Sequence, residues 1–257
     1  MNNIETLADY VAFAADFSPG KGWIYRGQTK TTDEKGWELR PKAGRDDYTG
    51  GFERYVDQKM PMKSYDLEWF SKWRTEAIAY SNKVPADDLE CLAYAQHYGL
   101  ATRLLDWSRN PLVALYFAVS GDEKVDGGVY LITGLPTLTA SSLAQSVGDV
   151  SFYQPPPFDR RLAAQEGLFT FHPRPQSSVP IMEVASQYES NPVPHTNLHT
   201  VKVPWRAKAL LRQQLADLGV TRKSLFPDLD GLSDYINWGV RLKAAQFSAR
   251  QTFPAGS

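Results

Sequence analysis

Residues 95–118 read AQHYGLATRLLDWSRNPLVALYFA, and the changes of periodicity around this stretch decide the fold class. Leu89, Leu92 and Ala93 recur at helical spacing, with Asp87 or Asp88 ahead of them as a cap. Gly99 follows, and its missing Cβ suits the left-handed position that ends a helix. Leu100 to Trp107 then reads as a strand. Thr102, Leu104, Asp106 and Ser108 share one face of it, and Arg103, Leu105 and Trp107 the other. Asn110-Pro111 starts a second helix, with Asn as the cap and Pro at the first position, where no N–H is needed. That helix is apolar on nearly every side from Leu112 to Val119, so it belongs at the centre of the core. Gln96 and His97 continue the apolar face of the first helix at its last turn, so two polar side chains must find partners inside the fold.

Working outward, residues 3–17 place Ile4, Leu7, Val11 and Ala14 on one helical face and stop before Ser18-Pro19-Gly20, which predicts an amphipathic N-terminal helix. Trp23-Ile24-Tyr25-Arg26 reads as a short strand stopped by Gly27. Residues 29–51 are polar and aperiodic, as in a long binding loop. Phe52, Tyr55, Val56 and Met60 predict a helix broken near Pro61, and Leu67, Phe70, Trp73, Ala77 and Ile78 another over residues 66–80. Strands are expected at 128–133, 168–172, 179–184 and 198–203, and helices at 205–218 and 232–247. Trp23, Tyr116 and Phe117 read as core. Strands and helices mix without a steady β-α-β alternation, so the class is α+β. A single compact domain over 1–257 is expected, with a core over 20–240, a mixed sheet and flanking helices.

Lys and Arg number 28 against 29 acids, a formal net charge of −1, so no whole-molecule field draws the chain to nucleic acid or anionic lipid. A local basic patch remains at Lys30, Lys35, Arg40, Lys42 and Arg45, near Trp37 and Tyr48 and offset by Asp33, Glu34, Asp46 and Asp47. The longest apolar run, Pro111 to Val119, is under half the roughly 20 residues a membrane-spanning helix needs. Glu5 and Asp9 interrupt the first apolar stretch, unlike a secretory signal. The one cysteine, Cys91, lies among Leu89, Leu92 and Ala93 and reads as a buried thiol in a reducing cytoplasm. Dinucleotide fingerprints, phosphate loops and nucleophile elbows are missing from the sequence. His195 and His199 are four apart, but Pro194 and a strand-like context argue against a metal-binding helix face, and no metal is expected. Asp228-Leu229-Asp230-Gly231 begins like a calcium loop but lacks the ligands that should follow, so it reads as a helix cap.

Four blocks place polar residues in or beside apolar runs: Tyr25-Arg26-Gly27-Gln28, Gln96-His97-Tyr98-Gly99, Thr102 through Pro111, and Arg161 through Thr170. Together they resemble the FRG domain family, named for its (Phe/Tyr)-Arg-Gly motif. The long block from Ala95 to Ala118, followed by Arg161, Gln165, Gly167 and Phe169, is its most specific part. FRG domains in turn look like distant relatives of the ADP-ribosyltransferase fold, whose members split NAD and transfer ADP-ribose. Those enzymes place an Arg or His on the first strand, a hydroxyl residue on a middle strand and a Glu near a later one. Arg26, Ser108 and Glu166 occur in that order here. The resemblance implies a cytoplasmic transferase of the toxin or phage-defence kind. It also implies NAD as substrate, a macromolecular target with nucleic acid favoured over protein, and an antitoxin or regulatory partner.

The residue chemistry can be argued on its own. Cleavage of the nicotinamide–ribose bond develops an oxocarbenium-like centre that a carboxylate such as Glu166 or Asp106 could stabilise. Arg26 on a rigid strand suits bidentate binding of a diphosphate, helped by Gln28 or Arg103. Gly27 lets its backbone approach the nicotinamide amide, Tyr98 or Trp107 could stack on a ring, and His97 could bond a ribose hydroxyl. Thr102 completes the expected binding set, and Gln165 joins Arg26, Ser108 and Glu166 as a candidate catalytic residue. Each has a structural alternative. Arg26 could pair with Asp106 in the core, Asp106 could satisfy Arg103, His97 could cap its helix, and Ser108 could be a turn residue. If Gln165 points into the site, Glu166 points out. A non-catalytic nucleotide or nucleic-acid sensor, or an NAD glycohydrolase, remain the other functions open to the same residues.

Overall fold

The computed structural model describes residues 4–17, 19–34, 36–49, 65–121, 124–138, 150–173, 175 and 197–252. Its centre is a sheet of six strands: β1 (Ile24–Gln28), β2 (Leu104–Ser108), β3 (Gly127–Thr133), β4 (Ser151–Tyr153), β5 (Gly167–Phe171) and β6 (Asn197–Val203). The spatial order is β4-β5-β2-β1-β3-β6, and all five neighbouring pairs run antiparallel. The class is α+β, as the mixed periodicities imply. The sheet itself is antiparallel rather than mixed, because adjacent strands alternate in direction across the whole order. Among the described residues, one parallel bridge joins Thr137 to Phe152 of β4.

The helices are α1 (Leu7–Asp16), α2 (Asp46–Thr49), α3 (Tyr65–Ala77), α4 (Asp88–His97), α5 (Pro111–Val119), α6 (Arg160–Ala164), α7 (Trp205–Asp217), α8 (Arg222–Leu225) and α9 (Leu229–Thr252). Their ends follow local chemistry. Thr6 and Asp9 form a reciprocal capping box on α1, and Asp87 caps α4 through the amides of Leu89 and Glu90. Asn110 caps α5 with Pro111 in its first turn, and Asp228 accepts from Gly231 at the start of α9. Gly99, at φ +95°, ends α4 as its position requires.

Helices cover one face of the sheet in two separate groups. Over β1, β3 and β6, the residues Tyr25, Val129, Leu131, Val201 and Val203 pack on α1, α5 and α7. Over β2, β5 and β4, the residues Leu104, Phe169, Phe171 and Tyr153 pack on α4 and Phe70 of α3. The opposite face carries Ile24, Leu105, Trp107, Tyr130, Ile132 and Leu168 beneath Leu39 and Val150, which come from loops. The two helical groups meet where β1 and β2 adjoin, and there the ladder is thin. β1 and β2 register at one position, Tyr25 with Ser108, against five for β1 with β3 and five for β2 with β5.

Several expectations shift. Gly27 does not stop β1; it pairs with Val129, and the strand continues to Gln28. A Cβ there would lie 1.7 Å from the Ala114 carbonyl oxygen, so this glycine is what lets α5 lie directly on the strand. β2 begins at Leu104 rather than at Leu100. The polar 29–49 region is irregular apart from a one-turn 3₁₀ helix at Lys42–Gly44 and α2, and it is tied to the sheet by buried Leu39. The last helix is longer than its apolar pattern, and β4 and α6 were too short to announce themselves by periodicity. The predicted helix at 52–60, the strand at 179–184, Lys35 and His195 lie outside the described residues.

Candidate functional site

A cleft of about 330 Å³ opens in the gap between the two helical groups, directly over the thin β1–β2 seam. Tyr25, Arg26 and Gly27 of β1 line it together with Asp106, Trp107 and Ser108 of β2. Val113, Ala114 and Phe117 of α5 form one wall, which Phe226 continues, and Gln165 also lines the cleft. That volume lies at the lower end of the range for small-molecule sites, enough to enclose one nucleoside-sized half of a larger ligand.

Arg26 is the cleft's cation. Its Nη1 donates to the Asp106 carbonyl oxygen at 2.7 Å, across the part of the seam where β1 and β2 are not registered, and its Nε donates to Gln28 Oε1 at 3.2 Å. The nearest Asp106 carboxylate oxygen stands 3.9 Å from Nη1, and the side chain keeps 14 % of its surface open. Burial is the main cause that pulls the guanidinium down to about 10, with Asp106 opposing and Arg45 adding to the shift. It is therefore still charged at neutral pH, and a loose ion pair leaves that charge incompletely balanced. Behind it, His172 is buried and pushed down to about 3, first by desolvation and then by the Arg26 charge, so the ring is neutral. Its Nε2 lies 3.0 Å from Thr170 Oγ1, which accepts from Trp107 Nε1 at 2.9 Å.

Asp106 is the cleft's carboxylate, with a side chain 67 % exposed. Gln96 Nε2 donates to its Oδ1 at 2.8 Å, and the Thr102 hydroxyl donates to Gln96 Oε1. The odd polar residue at the end of α4 thus finds its partners, and its amide fixes the carboxylate from the α4 side.

Ser108 and Gln165 reach the cleft but are engaged elsewhere. Ser108 Oγ donates to the Gln165 carbonyl oxygen at 2.7 Å and accepts from the Asn110 amide at 2.9 Å. Gln165 Nε2 donates to the Leu225 carbonyl oxygen at 3.0 Å, tying α6 to α8. Glu166 is not among the residues lining the cleft. It adopts φ 46°, an uncommon conformation outside glycine, and its exposed Oε1 accepts from Asn110 Nδ2 at 3.1 Å. Of the two arrangements the sequence left open for this adjacent pair, the structure has Gln165 at the cleft and Glu166 outside it.

The remaining candidates sit away from the opening. Gln28 is buried and bridges Arg26 to the Trp37 carbonyl oxygen at 2.8 Å. His97 faces Asp159, the cap of α6, at 3.6 Å. Tyr98 is exposed and packs on Tyr94 with ring centroids 4.9 Å apart. Thr102 is buried and serves Gln96. The Trp107 indole is held in the core by Thr170. Arg103 departs furthest from its expected role. Its Nε and Nη2 bind the two Asp66 carboxylate oxygens at 2.8 and 2.7 Å, and both side chains are 1 % exposed. It pins α3 to β2 and does not face the cleft.

Sequence reasoning missed Phe226 as a wall of the cleft, placed Phe117 only in the core, and named no partner for Gln96. Phe226 is stacked by Arg222 at 3.5 Å from its ring centroid, faces Arg161 at 5.6 Å and meets Phe117 edge-on at 6.1 Å. The signal that could have found it is the Leu225-Phe226-Pro227 step, an aromatic between two helices. Among the described residues, no group of three or more His, Cys, Asp or Glu is placed to hold a metal ion, and no helix is long and apolar enough to cross a membrane.

No curated protein and no solved structure matches the chain. A family model described as FRG domain matches residues 21–127, a narrower span than the motif blocks suggest; it includes Arg26, Gly27, Asp106, Ser108 and the α5 wall but leaves Gln165 and Phe226 outside. The segment that builds the floor and one wall of the cleft therefore lies within the residues that match the FRG domain model.

Proposed function

We propose that this cleft binds NAD and that the protein is an ADP-ribosyltransferase acting on a macromolecule. The observation that carries the reading is the convergence of an incompletely balanced guanidinium, Arg26, and an open, oriented carboxylate, Asp106, over a gap in the sheet. In this reading Arg26 holds the diphosphate, and the Gly27 segment, held close to α5, lines the floor beneath the nicotinamide. Phe117 and Phe226 supply the apolar wall for a ring. The bond from ribose C1′ to the nicotinamide nitrogen breaks, its electron pair leaves with the ring, and neutral nicotinamide departs. Positive charge on the ribose is stabilised by Asp106, one of the two carboxylates, with Glu166, that the sequence offered for this role. A nucleophile on the target then bonds C1′ and loses its proton. A nucleic-acid target is preferred because Lys30 and Lys42 lie over the Trp37 and Tyr48 rings near the domain's basic loop. Cytoplasmic action, where NAD and nucleic acid are both present, and restraint by an antitoxin belong to the same proposal.

The test is incubation with NAD labelled in the adenylate half, together with DNA, RNA or cell lysate, following free nicotinamide and polymer-bound label. The expected result is nicotinamide release with label on one polymer, lost in Asp106→Asn. Nicotinamide release without label would identify NAD hydrolysis. A second reading, a non-catalytic nucleotide sensor, is favoured by one observation: the Ser108 hydroxyl and Gln165 amide are both engaged in internal hydrogen bonds. Saturable NAD binding with no nicotinamide released would select it.

A further inference from the structure

A second pocket, of about 500 Å³, lies apart from the cleft and is larger than it. Its lining comes chiefly from Tyr48 of α2, Trp69 and Trp73 of α3, and the Gly99–Ala101 turn between α4 and β2. The periodicity of α3 explains its two tryptophans. At about 100° per residue, Asp66, Phe70 and Ala77 form the buried stripe that docks the helix, Trp69, Lys72 and Glu76 cluster on its flank, and Trp73 falls between. Trp69 is therefore left 50 % exposed, and Tyr48, from a different element, 40 % exposed. Neither ring is needed to hold its helix in place.

Cations flank both rings. Lys42 Nζ stands 5.5 Å from the Tyr48 ring centroid and donates to the Gly99 carbonyl oxygen at 3.0 Å, and Lys72 Nζ stands 5.6 Å from the Trp69 ring centroid. Of the two acids on the lining, Asp66 is sealed and bound by Arg103, which leaves Glu76 against two exposed lysines. Flat apolar faces with ammonium groups at their edges match a nucleobase and the phosphates on either side of it. An apolar protein side chain would use the rings and leave the lysines idle. In a duplex the base faces are covered by their neighbours, so the match is to a single strand.

We propose that this pocket is a nucleobase site for single-stranded nucleic acid, in which Trp69 and Tyr48 stack on bases and Lys42 and Lys72 meet phosphates. The inference rests on the reading that the target is a nucleic acid, and it puts the grip on that target apart from the cleft. The Gly99–Ala101 turn connects the two places, since Thr102, the next residue, holds Gln96 and Gln96 holds Asp106.

Fluorescence anisotropy of a labelled oligomer of about twelve nucleotides, with the full chain and without NAD, reads the proposal. A single strand of DNA or RNA should bind at least about tenfold more tightly than the duplex of the same sequence, an order that charge alone would reverse. The tighter of the two single strands identifies the sugar of the target. Trp69→Ala should weaken single-strand binding about tenfold and Trp69→Phe much less, with the far-ultraviolet circular dichroism unchanged in both. Lys42→Ala with Lys72→Ala should reduce the slope of log affinity against log salt by about 1.4. A single strand bound no more tightly than the duplex, or an affinity that Trp69→Ala leaves unmoved, overturns the site. So does a lysate in which Trp69→Ala abolishes label on protein while no oligomer binds, which would assign the pocket to a protein target. Single-strand binding without nicotinamide release would sink the transferase reading and keep the site; release without single-strand binding would do the reverse.

Discussion

Arg26 and Arg103 both lie in the motif blocks, one within β1 and the other immediately before β2, and by residue type both suit a diphosphate. Their surroundings separate them. Arg103 is sealed from solvent and its charge is met by both oxygens of Asp66. Arg26 bonds a backbone carbonyl and an amide, keeps its nearest carboxylate at 3.9 Å and opens on the cleft. Arg103 therefore joins two elements of the fold, whereas Arg26 presents a positive charge to a ligand. A bidentate carboxylate and closure to solvent distinguish Arg103 from Arg26.

The largest expected effect breaks the structural member of the comparison. Asp66→Ala leaves Arg103 buried and uncompensated and should cost about 3–5 kcal/mol, read from chemical denaturation. If the loss is under about 1 kcal/mol, the ion pair is not what holds α3 on β2.

Next in size is a pH effect behind Arg26. The folded His172 is held near 3, below its ordinary 6.5, so its contribution is full above 6.5 and is lost as pH falls toward 3, where the unfolded chain alone takes up the proton. Unfolding free energy should drop by an amount on the order of 4 kcal/mol more in wild type than in His172→Gln over that window. Because the Arg26 charge contributes to the depression, Arg26→Ala should move the His172 titration upward, measurable by NMR. An unmoved titration would separate the two groups.

Arg26→Ala tests the other member directly. Stability should change by about 1 kcal/mol or less, while NAD binding by calorimetry weakens at least about tenfold. Unfolding of this variant would make Arg26 a structural residue like Arg103. The smallest effect concerns its neighbour Tyr25, whose buried hydroxyl has no hydrogen-bond partner among the described residues and is pushed up to about 12 by burial. Tyr25→Phe removes an unsatisfied polar atom and should raise stability by about 1 kcal/mol, seen as a higher melting temperature.

What could be read in advance followed the range of the interactions. Asn110-Pro111, Asp87 and Gly99 act within one turn of their own helix, so α4 and α5 were legible nearly to the residue. Strand alternation likewise put Asp106 and Ser108 on one face. The roles of Arg103 and Phe226 were not legible, because each depends on a partner far along the chain: Asp66 lies 37 residues from Arg103, and Phe226 meets Phe117 from the segment after α8. Gln96 shows the boundary between these cases. Its helical position declared that it needed a partner, and only the fold could name Asp106.

The single rung joining β1 to β2 divides the sheet into two three-stranded ribbons, β4-β5-β2 and β1-β3-β6, each roofed by its own helices. Whatever molecule lodges between them supplies cross-links that the backbone omits. Occupancy should then slow amide hydrogen exchange along the inner edges of both ribbons, while their outer edges stay unchanged. The domain would stiffen along one line when loaded, as a book does when a clasp is closed across its spine.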